Sequence, residues 1–386
     1  MLGGIKLYRA YKYRIYLDYE QEMVLKKIFG CIRFIYNYYL KIMIEDKKQN
    51  SMKCIKDYQY NLKLKNPFLK ETDDAAVRKT IFSLEDKIKQ SKKAGLNAPK
   101  YKSKFNKESY TVSAMYQDYY KSFNIILDLN ERKIKLPKMG WVNCRGYRNK
   151  KLIEGKLVNA TISKEANGKY YVSLLYNVPD AKLIKNPNSI IGIDLGIKKL
   201  LTLSDGTVYE NNRYINKYEN KIKKLQKDLI RKQKNSKNYY KCKKELSNVF
   251  SKLKNARKFY IHEITKQITD NYDIIVCEDL KVKEMMILNK DKFSKSIADA
   301  TFSEIINQLE YKAKMKGKCF YKINSYYPSS QICSTCDYIN KKYKDLDKRQ
   351  YICEKCGSII DRDYNASVNI MFEGLKLHMK DIKQKL

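Results

Sequence analysis

The sequence predicts a mixed α/β protein of several parts: a β-rich unit split by a helical insert, an α/β unit whose buried strands end in acids, and a small metal-binding ribbon. Three observations predict this. Two apolar runs, IIGID reaching Asp194 and DIIVCED reaching Glu278, have the composition of strands buried on both faces. The apolar period is helical over residues 19–42 but changes to two from about residue 105. Four cysteines, Cys333, Cys336, Cys353 and Cys356, stand as C-x2-C-x16-C-x2-C. A chain of 386 residues has room for two to four domains.

Residues 5–16 alternate apolar and polar and predict a basic strand. Residues 19–42 predict a helix whose inner face is Leu25, Ile28, Ile32, Ile35 and Tyr39. Cys31, Arg33 and Tyr36 lie off that stripe, where they are expected to face solvent or a ligand. Further helices are expected over 52–95. SYTVSAMYQ, NIILDLN and KIKLPKMG then predict short strands, and ATISKEANGKYYVSLLYNV a hairpin turning at Asn167-Gly168. KNPNS (185–189) is a linker. SIIGIDLGIKKLLTLSDGTVYE predicts two strands joined by a turn at Gly196.

Residues 214–268 predict a long helical pair bent at QKNSKNY. Ile215, Tyr218, Ile222, Leu225 and Leu229 stripe one arm, and Leu246, Val249, Leu253, Ala256 and Tyr260 the other. The buried strand DIIVCEDL, a helix through TFSEIINQLEYKAK and the strand KCFYKIN follow. ASVNIMFEGLK predicts a last helix, with a frayed Lys-rich end.

Eighty Lys+Arg against 42 Asp+Glu give a net charge of +38, which repels itself unless a polyanion neutralises it. An AT-rich genome would explain many lysines and the 34 tyrosines, but not the imbalance of sign. The expected partner is therefore nucleic acid. The other six cysteines (Cys31, Cys54, Cys144, Cys242, Cys277, Cys319) form no framework, which points to a reducing compartment with one metal site. The N-terminus is too charged for a secretory signal, and no apolar run reaches 18 residues, so a cytosolic protein without a membrane span is expected. No Walker loop and no Ser/His/Asp hydrolase set is present, which argues against an ATP-driven helicase. His262, beside the apolar face of its helix, and His378, in the tail, read as structural.

An acid at a strand end points out of the core while its backbone stays fixed, and a third at a helix start could complete a set able to hold two magnesium ions. Each acid also has a plainer reading. Asp194 before Leu195-Gly196 could set a turn. Glu278 and Asp279 are adjacent, so one could be the ligand and the other a cap. Asp363 could be the N-cap of the last helix, with Asp361 competing for the ligand role. The cysteine spacing fits a structural zinc ribbon: four thiolates close the tetrahedron, and a redox pair would explain only one C-x2-C. Lys341, Lys342, Lys344, Lys348 and Arg349 would give the ribbon a basic surface.

The segments YKYRIYLDYEQEMVLKKIFGCIRFIYNYYL, PKYKSK, IKLPKMGWV, GKYYVSLLY, SIIGIDLGIKKLLTLSDG, YDIIVCEDL, ADATFSEIINQLEYKA, YPSSQICSTC and DRDYNASVNI resemble the TnpB family, the OrfB-type proteins of insertion sequences. The resemblance spans nearly the whole chain. It implies an RNase H-like fold with a single RuvC site, at which Asp194, Glu278 and Asp363 bind magnesium or manganese and catalyse hydrolysis. Asp363 is preferred to Asp361 because the family's third acid precedes x-N-A, here Tyr364-Asn365-Ala366.

The implied division is a wedge β-barrel (1–16 and 105–185), a helical recognition lobe (17–104), a RuvC-like nuclease domain (186–325 and 358–375), an inserted zinc ribbon (326–357) and a flexible basic tail (376–386). The implied activity is a metal-dependent, RNA-guided DNA endonuclease related to type V CRISPR effectors. One chain would bind one transposon-derived guide RNA in the prokaryotic cytosol or nucleoid and cut double-stranded DNA beside a short motif. A guide–target duplex of ~20 bp carries about 40 phosphates, a scale the charge suits. Asp337 follows Cys336 where the family usually has glycine. All three acids are present, which argues against a regulator that binds without cutting; a protein-only transposase or resolvase would cut without RNA.

Overall fold

The computed structural model describes residues 7–46, 49–117, 122–146, 154–179, 181–184, 186–280, 301–344 and 348–385. Residues 5 and 6 of the predicted first strand, Lys185 of the linker and the ADA that opens ADATFSEII lie outside the described residues. The chain forms two units, Met1–Pro179 and Asp180–Leu386.

The first unit opens with strand β1 (Leu7–Tyr16), followed by α1 (Tyr19–Glu45). Asp18 caps α1 by accepting from Gln21 N, and the Gln21 side chain returns to Asp18 N, so the helix start is fixed from both directions. α2 (Ser51–Asp57) runs on through a π turn (Tyr58–Leu62) into α3 (Lys63–Lys65), and α4 (Asp74–Lys93) follows. The predicted stripe of α1 is buried throughout, but so are Cys31 and Tyr36, which corrects the expectation that they face outward. The helix is covered on more than one side: Cys31 Sγ donates to Phe68 O, and the Lys102 ammonium lies 4.1 Å from the Tyr36 ring centre.

Strands β2 (Ser109–Ser113), β3 (Tyr116–Gln117), β4 (Ser122–Phe123), β5 (Ile126–Asp128), β6 (Lys133–Leu136), β7 (Gly140–Arg145), β8 (Lys156–Lys164) and β9 (Tyr170–Val178) complete this unit. Seven strands form one antiparallel sheet in the order β2-β8-β9-β1-β7-β6-β5. β1 lies at its centre, paired from Leu7↔Val178 to Ile15↔Tyr170 with β9 and on its other side with β7. The β8–β9 hairpin turns where Gly168 takes φ +81, a conformation that glycine adopts without a steric penalty. No ladder joins β5 to β2 among the described residues. The helices and the sheet share one hydrophobic core.

In the second unit β10 (Ile190–Leu195), β11 (Lys199–Leu203), β12 (Val208–Glu210), β13 (Ile274–Glu278) and β14 (Cys319–Ile323) form a sheet in the order β12-β11-β10-β13-β14. The first three are antiparallel neighbours, whereas β13 runs parallel to both β10 and β14. The sequence reading gave two strands before the helical pair; β12 is a third, set off by a turn in which Asp205 accepts from Thr207 N and Gly206 takes φ +88.

α5 (Tyr214–Arg231) and α6 (Lys237–Asn271) pack through Ile222, Leu225, Cys242, Val249 and Leu253. The C-terminal half of α6 leaves its partner and, with α7 (Phe302–Met315), covers one face of the sheet through Ile261, Ile264, Ile268, Phe302, Ile305 and Leu309. The other face is covered by α8 (Arg362–Lys385) through Ile370 and Leu377. The predicted frayed tail is therefore corrected: residues 376–385 continue α8. Its last turns are held because the Tyr321 hydroxyl on β14 bonds to Asp381 Oδ2 and His378 Nδ1, each at 3.0 Å. Among the described residues no helix is long and apolar enough to cross a membrane.

Candidate active site and cysteine ribbon

Side chains alternate between the two faces of a strand. Ile191 and Ile193 of β10 and Ile275 and Cys277 of β13 enter the core formed with α6 and α7. Ile190, Ile274 and Val276 enter the core under α8. Asp194 and Glu278 continue the second set, so both face the α8 side. The register is parallel, with Gly192↔Val276 and Ile193↔Cys277. One more step along it sets Asp194 beside Glu278 on strands ~4.8 Å apart.

Two glycines let α8 approach this face. A Cβ on Gly192 would come within 2.5 Å of Met371 N and closer still to Ser367 O; one on Gly374 would strike both Val276 methyls. The seated helix brings its first turn, with Asp363, to the strand ends. Asp194 registers the assembly. Burial, then the charges of Glu278 and Asp363, push its carboxyl well above the aspartate range, while the buried Arg362 opposes the rise. Burial also raises Glu278, against a hydrogen bond at 2.5 Å from the Ser329 hydroxyl to its Oε1.

Asp361 and Asp363 are separated by their partners. Asp361 Oδ1 accepts from Asp363 N and Tyr364 N, each at 3.0 Å, and its Oδ2 accepts from Lys199 Nζ at 2.9 Å. It is thus the N-cap of α8. Burial would raise Asp361, but Lys199 and those backbone donors outweigh it and hold the carboxyl low. Asp363 stands 3.9 Å from Arg349 of the ribbon. Asp279, adjacent to Glu278, is exposed, and its N–H continues the ladder to Ile323 O.

Cys333, Cys336, Cys353 and Cys356 converge so that their sulfurs all lie within 4.8 Å of one another. Among the described residues no other group of three or more His, Cys, Asp or Glu is drawn together to that distance; the three carboxylates form a looser set. The Cys333–Cys356 and Cys336–Cys353 sulfurs are 3.7 and 3.5 Å apart. Tetrahedral Zn–S bonds of about 2.3 Å require sulfurs about 3.8 Å apart, so the cluster fits a zinc ion. Hydrogen bonds from the Ser358 hydroxyl and N–H hold the Cys356 thiol below the usual thiol range.

The two knuckles share one geometry: Asp337 N donates to Cys333 O and Gly357 N to Cys353 O, each at 2.9 Å, with φ of +59 and +71. β15 (Gln350–Ile352) and β16 (Ile359–Asp361) pair behind the second knuckle and lead into α8. Of the expected basic surface, Lys341, Lys348 and Arg349 are exposed, Lys342 is paired with Glu354 at 2.7 Å, and the Lys344 side chain lies outside the description.

Sequence reasoning missed Ser329, Arg362, Asn365 and Asn369. For Asn365 and Asn369 the signal was their four-residue spacing on one helix, since polar side chains on a core-facing stripe need specific partners; Ser329 and Arg362 had none. Asn365 and Asn369 are 0% and 3% exposed.

Comparison with known proteins adds three family matches: OrfB_IS605, described as "Probable transposase", over residues 173–288; "Cas12f1-like, TNB domain" over 302–370; and "Helix-turn-helix domain" over 6–51. In this chain the last segment holds β1 and the single long helix α1. Among curated proteins, "Putative RNA-guided DNA endonuclease InsQ" of Escherichia coli (strain K12) is 28% identical, covering 96% of this chain and 93% of the relative. A "Putative RNA-guided DNA endonuclease" of Streptomyces pristinaespiralis is also 28% identical, over 95% of this chain and 89% of its own length. The solved "Cryo-EM structure of the Cas12f1-sgRNA-target DNA complex" is similar in fold, with a TM-score of 0.56 at 16% identity, covering 95% of this chain and 99% of that one. On these matches the chain is similar to OrfB_IS605 and Cas12f1-like proteins and to the curated relatives above, and its fold is like that of the solved Cas12f1.

Proposed function

We propose that the chain is an RNA-guided DNA endonuclease whose second unit is an RNase H-like domain with one RuvC-type site. It would cut double-stranded DNA beside a short transposon-associated motif. The first unit would supply the wedge and recognition lobe that hold guide and target, and residues 326–357 the zinc-bearing insert. The observation that carries this reading is the gathering of Asp194, Glu278 and Asp363 at one sheet edge under α8, closely enough for the last two to raise the first. Hard oxygen donors with mutually repelling charges suit magnesium or manganese.

When bound, two such ions would supply activation of the attacking water and stabilisation of the leaving 3′ oxygen. The protein's own part is positional. Strand ends fix Asp194 and Glu278, the α8 start fixes Asp363, and Arg362 partly offsets their combined charge. The excess of lysine and arginine would hold guide RNA and target DNA by their phosphates, while pairing with the guide would select the target. Tyrosines would offer stacking surfaces. The four thiolates would hold zinc in a closed structural site with no position left for chemistry.

The test is to purify the chain with its co-purifying RNA, sequence that RNA, and assay DNA cleavage with and without it in magnesium. Cleavage that needs both RNA and magnesium, and that Asp194→Ala abolishes while RNA binding persists, is the expected result. Absence of bound RNA would refute the guided reading. Magnesium-dependent cutting without RNA would favour the second reading, a protein-only transposase, in line with the "Probable transposase" match over residues 173–288.

A further inference from the structure

Glu278 has a buried hydroxyl neighbour on the segment that leads into the cysteine ribbon. Ser329 is buried, at 5% exposed, and its hydroxyl donates to Glu278 Oε1 at 2.5 Å. The backbone that carries this hydroxyl is tied down from α8. Asn369 Nδ2 donates to Ser329 O at 2.8 Å and to Ile332 O at 2.7 Å. Asn365, one turn earlier, donates to the same Ile332 O at 2.6 Å and accepts from Ser334 N at 2.9 Å. Residues 329–332 lead into the first cysteine knuckle at Cys333. Two buried amides thus fix the base of the ribbon, and the first residue of that base touches the acid on β13.

A carboxylate at a strand end has free χ torsions, so strand geometry fixes its backbone but not its oxygens. One short hydroxyl donor restricts them and uses one of about four lone-pair directions, leaving the rest for a cation. Outer partners of this kind orient metal-binding carboxylates. We propose that Ser329 is a positioning residue for Glu278, seated by Asn369 and Asn365 so that the ordered base of the cysteine ribbon sets one ligand of the acid site. The inference rests on the reading of Glu278 as a metal ligand.

The experiment uses the full chain with its co-purified RNA and Mn2+ alone as probe, with free and bound ion distinguished by electron paramagnetic resonance. Wild type is compared with Asp194→Ala to identify ion bound at the acid site. Ser329→Ala is expected to raise the Mn2+ concentration for half-saturation by about 10- to 100-fold. Ser329→Thr, which keeps the hydroxyl, should return it to near wild type. Zinc content should not move in either variant, and excess Mn2+ should restore cleavage by Ser329→Ala, marking a defect of metal affinity.

Ser329→Ala binding Mn2+ within twofold of wild type would overturn the proposal, as would Ser329→Thr failing as badly as alanine. Should alanine not fold, Ser329→Cys carries the test: it keeps the size and weakens the donor, so an unchanged affinity refutes the role. If Asp194→Ala removes no Mn2+ from wild type, the metal-site reading itself fails, a result distinct from any behaviour of Ser329.

Discussion

Gly192 offers a test in which the expected sign runs against the usual rule. Glycine inside a strand ordinarily costs roughly 0.5–1 kcal/mol relative to alanine, so Gly192→Ala would be stabilising if space allowed. Here the new Cβ would meet Met371 N at 2.5 Å, and Ser367 O closer still, where an ordinary contact needs at least 3.4 Å. Both atoms are α8 backbone, so no side chain can swing away; the helix must retreat by about 1 Å. Overpacking of this size costs about 1–3 kcal/mol. A net loss near 2 kcal/mol would lower the melting temperature by roughly 4–8 °C for a unit of about 200 residues.

The functional loss should be larger than the stability loss. Asp363 rides on the first turn of that helix, and a 1 Å misplacement of reacting groups can cost about 100-fold in rate. The assays are thermal unfolding and single-turnover cleavage at saturating guide RNA. Gly30→Ala is the internal control. It lies in α1 with nothing within 4 Å of the added atom, and should gain up to about 1 kcal/mol. A Gly192→Ala protein that melts no lower than wild type and cuts at the same rate would refute the seating of α8 on β10.

Asp194→Asn, measured in chelator at pH 7, should melt higher than wild type. The raised folded pKa of Asp194 means its ionisation opposes folding as pH climbs from the unfolded value near 4 through the folded one; a lower melting point would contradict that. His262 is held down to about 4, chiefly by burial and then by Lys312 and Lys258, so it stays neutral when folded. Its contribution is complete above pH ~6.5 and is lost as pH falls toward 4; His262→Gln should flatten this part of the stability–pH curve, and an unchanged slope would assign it elsewhere. Asp337→Gly should stabilise the zinc-loaded ribbon by about 1 kcal/mol by relieving a left-handed backbone, whereas Gly357→Ala should destabilise it by about as much. Equal effects of the same sign on zinc retention and melting would refute the shared knuckle geometry.

How far the site was legible depended on whether local pattern or tertiary partnership decided each residue. The apolar runs into Asp194 and Glu278 and the cysteine spacing are local, and the structure has strands and a thiolate cluster there. The division of labour between Asp361 and Asp363 is not local, since it depends on Lys199 from β11 and on where α8 begins. The outward assignment of Cys31 and Tyr36 failed because one helical stripe was taken as the whole buried surface, whereas α1 is covered on more than one side. The three-residue β12 escaped because so short a strand gives too few alternations to register a period. The extension of α8 through its Lys-rich end was set by Tyr321 on another element.

The acids that no lysine pairs with bear most directly on the candidate site. Cations outnumber acids nearly two to one in this chain, and the acids of the second unit commonly meet them: Asp270 with Lys316, Asp273 with Lys318, Glu310 with Lys322, Asp361 with Lys199. Among the described residues no salt bridge reaches Asp194 or Glu278, although both are partly buried and both are raised. Leaving like charges together in a half-buried place costs stability unless something offsets them. Arg362 offsets part of the charge around Asp194, and among the described residues no lysine forms a salt bridge with either acid. Under the proposed function, the remaining positive charge would come from divalent ions bound at that sheet edge.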